Sequence, residues 1–184
     1  MRNTGIESSA DRPGEFGSAT KGGAALKAHV QLHARGFGVN PRTMLCGDAL
    51  NQYAQPVLLL RLFTDHPQRI GPRLSAWRPL SYLDYFALAR PACSEFIALA
   101  LRFCPGHIRE TFERAEESLA RAALDAIESA LSPRKTTDPA ERRRLCIENA
   151  DSLRRDATAL MTYADPDMAT GRRIVSASPF FIRR

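Results

Sequence analysis

From Pro105 to Ala164 the apolar residues fall three and four positions apart, the spacing that lines one face of an α-helix. Ile108, Phe112, Ala115, Leu119, Ala122/Ala123, Ala126/Ile127 and Leu131 make one such stripe, and Cys146, Ala150, Leu153, Ala157, Leu160/Met161 and Ala164 make a second. Ser132-Pro133 closes the first helix. Asp138-Pro139-Ala140-Glu141 opens the second with an acidic N-cap, proline at the first helical position and Glu at N3. The short connection predicts that helices of about 105–131 and 139–163 pack as an antiparallel hairpin.

Ahead of the hairpin, Ala49, Leu50, Tyr53, Val57, Leu60 and Leu62/Phe63 recur at helical spacing, and Pro56 either kinks this helix or begins a second one. His66-Pro67 to Pro79 contains three prolines and Gly71, which predicts only short helical turns around Leu74, with Trp77 plugging the core. Ser81 is a natural N-cap for a helix carrying Tyr82, Leu83, Tyr85, Phe86 and Leu88. Pro91 divides that helix from one at about 92–103. The latter is apolar nearly all round, through Phe96, Ile97, Leu99, Leu101 and Phe103, the pattern of a helix at the centre of a fold with the hairpin packed on it.

A short helix is expected from about Ala24 to Arg35, with Gly36 as its C′ residue. The fold class is therefore all-α: a compact bundle of five or six helices with a long C-terminal hairpin. Residues 1–22, rich in Gly and Ser with no apolar periodicity, read as a flexible arm. Residues 23–165 form the single domain, and 166–184 a basic and aromatic tail.

Composition adds little to this picture and excludes some classes. A chain that is 44% hydrophobic and 25% charged has the balance of a globular protein. Its longest apolar runs, 57–63 and 96–101, are interrupted or ended by Arg61 and Arg102, well short of the ~20 residues that span a bilayer. The first thirty residues contain no h-region, so a cytoplasmic location is expected. Cys46, Cys93, Cys104 and Cys146 lack CxxC or zinc-finger spacing and read as free thiols. The net charge of +6 permits association with polyanions without defining a site.

No set of residues commits the chain to a chemistry. His29 and His33 stand four apart, a spacing that suits a metal, but neither HExxH nor a third ligand accompanies them. Cys104-Pro-Gly-His107 brings a thiol and an imidazole to one turn, with the thiol near a helix C-terminus, where the dipole disfavours thiolate. Arg35-Gly36-Phe37-Gly38 lacks the residues of a phosphate cradle and reads as a helix stop. Glu116/Glu117 are expected on an exposed helix face, without the burial that would split their pKa values. No catalytic residue, cofactor or metal is assigned.

Two features remain as interaction candidates. Arg142, Arg143 and Arg144 open the last helix and could meet a phosphate backbone, although Arg144/Glu148 and Asp151/Arg155, at i,i+4, suggest internal neutralisation. In the tail, Arg172, Arg173, Ile174, Phe180, Phe181, Arg183 and Arg184 set apolar anchors between arginine pairs, a pattern suited to a partner's groove or to the chain's own core. The expected function is that of a non-enzymatic regulatory or adaptor protein with a protein partner. A nucleic-acid-binding regulator is the alternative, and a helical enzyme or ligand carrier with a pocket among Tyr53, Trp77, Tyr82 and Tyr85 the third. The long apolar stripes also raise homodimer formation through residues 108–161.

Overall fold

The structure, a computed structural model, describes residues 16–132 and 138–167. Among them the chain is all-α, with seven helices and no strand: α1 (Phe16–His33), α2 (Ala54–Phe63), α3 (Pro67–Ala76), α4 (Tyr82–Ala89), α5 (Pro91–Arg102), α6 (Gly106–Leu131) and α7 (Pro139–Ala164). Two 3-10 turns, Ala34–Phe37 and Gly47–Tyr53, join α1 to α2. The expected arm lies outside the described residues up to position 15, and α1 begins at Phe16 rather than near Ala24. The left-handed residue that stops the turn after α1 is Gly38 (φ 81), not Gly36; its N–H reaches back to the carbonyls of Ala34 and Arg35.

The central helix is α7, which packs against α2, α6 and the Gly47–Tyr53 turn. Cys146, Ala150, Leu153, Ala157, Leu160 and Ala164 are its buried stripe. The alanines let neighbouring backbones approach closely. Asp138 caps the helix by accepting the Ala140 N–H at 3.0 Å, as its sequence signature predicts. From α6 the buried residues are Phe112, Leu119, Ala123, Ala126, Ile127 and Ala130, so the two long helices spend their apolar faces on each other and on α2 and α3. Leu124, Ile147 and Tyr163 are the large apolar side chains of the pair left exposed.

Pro56 resolves in favour of a new helix. It falls in the first turn of α2, where backbone N–H groups have no intrahelical acceptor and proline forfeits nothing. The segment after His66 departs from expectation: in place of short turns it forms α3, ten residues long with Pro72 inside. Pro67 opens α3, and Ile70 and Leu74, four apart, are both buried; that burial offsets the ~3 kcal/mol an internal proline costs. Trp77 leaves α3 in an extended conformation and is buried beside Tyr53, ring centroids 5.9 Å apart.

The expectation that α5 is the central helix is corrected. It packs on α4, on α1 and on the Ala34–Phe37 turn, where Phe37 stacks on Phe96 at 3.9 Å. Only Ile97 and Ala100 are fully buried, while Phe96, Leu99, Leu101 and Phe103 remain half-buried. An all-round apolar helix needs neighbours on every side, and α5 lies in an outer layer.

Candidate functional site

The most elaborate polar arrangement lies where the chain leaves α7. Asn40, Thr43 and Asp165 are buried there, and Asn40 organises them. Its Oδ1 accepts the backbone N–H groups of Arg42 (2.9 Å) and Thr43 (3.4 Å), while its Nδ2 donates to Asp165 (2.8 Å) and Asp167 (3.4 Å). Thr43 Oγ1 donates to the Ala164 carbonyl at 2.5 Å, satisfying a group that the helix end would otherwise orphan. Arg35 and Arg42 then pair with the two oxygens of Asp167 at 2.9 and 3.1 Å. The loop is closed by Asn40 N–H to the Leu45 carbonyl (2.8 Å) and Met44 N–H to that of Asn40 (2.7 Å). Met44 adopts φ 60, a strained value for a residue with a side chain, and the closed loop holds it there.

A second polar group lies inside the bundle, and sequence reasoning missed it. Glu116 is half-buried, not exposed like Glu117, and its Oε1 is enclosed without a hydrogen-bond partner. Burial, reinforced by the neighbouring Glu113, pushes its pKa up to about 7. A second enclosed oxygen without a hydrogen-bond partner belongs to Tyr53, 1% exposed, on the Gly47–Tyr53 turn. Burial raises the Tyr53 pKa, and the Glu116 charge raises it further. Tyr82 of α4 joins this region, its oxygen accepting the Cys46 N–H at 2.7 Å and its ring meeting Phe86 (5.1 Å) and Phe112 (5.7 Å) edge-on. The signal was present in the spacing, since Phe112, Glu116, Leu119 and Ala123 fall four, three and four apart. The four aromatics expected to line a pocket pack instead against one another and the core, Tyr85 meeting Phe86 at 5.2 Å.

Arg142, Arg143 and Arg144 do not converge. Consecutive helical residues point about 100° apart, and these three have separate surroundings. Arg142 is half-buried near Cys146, Arg143 pairs with Asp65 at the end of α2, and Arg144 lies 3.8 Å from Glu148. Asp151 pairs with Arg61 of α2. Between the Arg143–Asp65 and Arg61–Asp151 pairs runs an open groove of about 310 Å³, lined by Arg61, Thr64, Asp65, Arg143 and Ile147.

The remaining motifs are quiet. The rings of His29 and His33 lie 4.5 Å apart, tilted by 55°, on the exposed side of α1, and among the described residues no group of three or more His, Cys, Asp or Glu side chains could hold a metal ion. Burial pushes the Cys104 thiol up, against thiolate, with partial compensation from Arg109. His107 is exposed at the start of α6. Among the described residues no helix is long and apolar enough to cross a membrane. The tail residues Arg172, Arg173, Ile174, Phe180, Phe181, Arg183 and Arg184 lie outside the described residues. No protein family matches the chain, and no curated protein or solved structure matches it.

Proposed function

We propose that the protein is a non-enzymatic regulatory or adaptor protein of the cytoplasm, binding a protein partner through its helix faces and the segment after Asp167. The observation that carries this reading is the anchorage of Asp167 by Arg35, Asn40 and Arg42, which sets the point from which residues 168–184 depart. A fixed root raises the effective concentration of the tail's apolar and arginine side chains at the adjoining surface. Among the helix faces, α4 exposes Leu88 (76%) and Leu83 (42%), apolar side chains that a partner could cover.

The test compares three forms of the tagged protein in cross-linking followed by mass spectrometry: the full chain, a chain ending at Asp167, and the full chain carrying Phe180→Ser and Phe181→Ser. One partner cross-linked through the tail in the full chain and lost from both variants is the expected result. Equal capture by all three forms would refute the role of the tail. The charge of +6 favours a second reading, nucleic-acid binding. Anisotropy with mixed-sequence DNA and RNA across a salt series decides it, because phosphate contacts give binding that weakens steeply with salt.

A further inference from the structure

Two arginines and a buried amide converge on one carboxylate just past the end of α7. Arg35 Nη2 lies 2.9 Å from Asp167 Oδ2, Arg42 Nη2 lies 3.1 Å from Asp167 Oδ1, and Asn40 Nδ2 donates to Oδ2 at 3.4 Å. The three donors belong to one stretch of chain that holds its own shape. Val39 N–H reaches the Ala34 carbonyl (2.9 Å), Asn40 N–H reaches that of Leu45, and Asn40 Oδ1 takes the Arg42 and Thr43 N–H groups. Their arrangement is therefore set in advance of the carboxylate they receive.

This stretch brings no acid of its own. From Phe16 to Gly47 the sequence contains no Asp or Glu, so the carboxylate that meets Arg35 and Arg42 comes from more than a hundred positions away. The two acids there are held differently. Asp165 is 3% exposed and takes the shorter bond from Asn40, at 2.8 Å, whereas Asp167 lies further from the helix and meets guanidiniums that are 68% and 70% exposed. Ion pairs so open to solvent contribute little, and a solute reaches both arginines directly.

We propose that Arg35, Asn40 and Arg42 form a carboxylate-binding site that Asp167 fills in cis and that a side-chain carboxylate of an acidic peptide takes over. Planar guanidinium forks match carboxylate geometry. Charge selects the class: with Asp167 displaced, Arg35 and Arg42 are set against Asp165, and the remaining single positive charge suits a carboxylate monoanion better than a phosphate dianion. The site rests on the geometry of residues 34–45 and stands whether or not the tail has a protein partner.

The test uses N-acetyl-aspartic acid α-amide as the probe, with N-acetyl-asparagine α-amide as its neutral counterpart and inorganic phosphate as the rival anion, all at constant ionic strength. Binding to the full chain is followed by the amide NMR shifts of residues 40–45, and unshifted amides in the middle of α7 check that each variant is folded. Asp167→Ala opens the site, Asp167→Asn opens it while keeping the side chain's shape, and Arg42→Ala in the Asp167→Ala background dismantles it. Removing an intramolecular competitor held by exposed ion pairs is expected to tighten aspartyl binding about tenfold over the parent, and losing Arg42 to reverse the gain. The asparaginyl probe is expected to shift nothing. No saturable shift in either Asp167 variant would overturn the proposal, as would equal binding by the parent and the variants, or binding that survives Arg42→Ala. Tighter binding of phosphate than of the aspartyl probe would overturn the assignment to a carboxylate.

Discussion

Helices α5 and α7 show that an apolar helix need not lie deeper than a charged one. Helix α5 is rich in apolar side chains, yet only Ile97 and Ala100 are fully buried, whereas α7, with arginines and acids over much of its surface, is the helix on which α2, α6 and the Gly47–Tyr53 turn pack. Two physical differences account for this. At about 1.5 Å per residue α7 is more than twice the length of α5, so it can serve as a spine for several elements. Its buried stripe is also rich in alanine, which permits close contact with several neighbours. Burial follows from having one face that several neighbours can share, and total hydrophobicity is a poorer guide to it.

The largest expected effect breaks or confirms that contrast directly. Leu153 of α7 is 2% exposed, and Leu153→Ala should cost about 2–5 kcal/mol through lost transfer energy and the cavity left behind. Leu99→Ala in half-buried α5, where water already reaches the side chain, should cost about 1 kcal/mol. Urea denaturation of both variants measures the difference. An equal or larger loss at Leu99 would make α5 the energetic centre after all.

A smaller effect probes Glu116 of α6, a carboxyl strongly perturbed by burial. The pKa of Glu116 rises from an ordinary 4.5 to about 7. Between those values the folded chain holds a proton that the unfolded chain has released. The stabilisation is therefore complete below about pH 4.5 and lost as pH rises through about 7, on the order of 2–3 kcal/mol in all. Glu116→Gln removes this dependence. The stability of the variant minus that of the parent should climb from pH 5 to pH 8; a flat difference would show that Glu116 is solvated like Glu117.

How far the sequence foretold this arrangement depended on whether the information was local. The boundaries of α6 and α7, the Asp138 cap and the α7 stripe all follow from residues within a few positions of one another, and all were legible. The Glu117–Arg121 pair (3.0 Å), four positions apart on one helix, is local in the same way. Asp151 was misassigned to Arg155 because its partner, Arg61, lies ninety positions away and only tertiary packing brings it near. The prolines of 66–79 misled in the opposite sense: the burial of Ile70 and Leu74 overrode a local breaker. At the candidate sites legibility was poorest. Arg35, Asn40, Arg42 and Asp167 look unremarkable singly, and no spacing rule links positions more than a hundred residues apart. Glu116 was readable by its place in the α6 stripe, but its charge argued for the surface.

The root of the tail supplies the last comparison, between a buried and an exposed member of one network. Asn40 is 2% exposed and uses both ends of its amide, so Asn40→Ala removes a hydrogen bond from the Asp165 carboxylate and one from each of two backbone N–H groups; the expected loss is about 1–3 kcal/mol. Arg42 reaches Asp167 from solvent, and Arg42→Ala should cost about 0.5 kcal/mol or less. The two should nevertheless agree in another readout. Both loosen the hold on Asp167, so amide hydrogen exchange at 164–167 should speed up in each variant while exchange in the middle of α7 stays near the parent rate for Arg42→Ala. If exchange at 164–167 were unchanged in Arg42→Ala, its ion pair would contribute nothing to fixing the root, and that task would fall to the other contacts, those of Arg35, Asn40 and Thr43 among them.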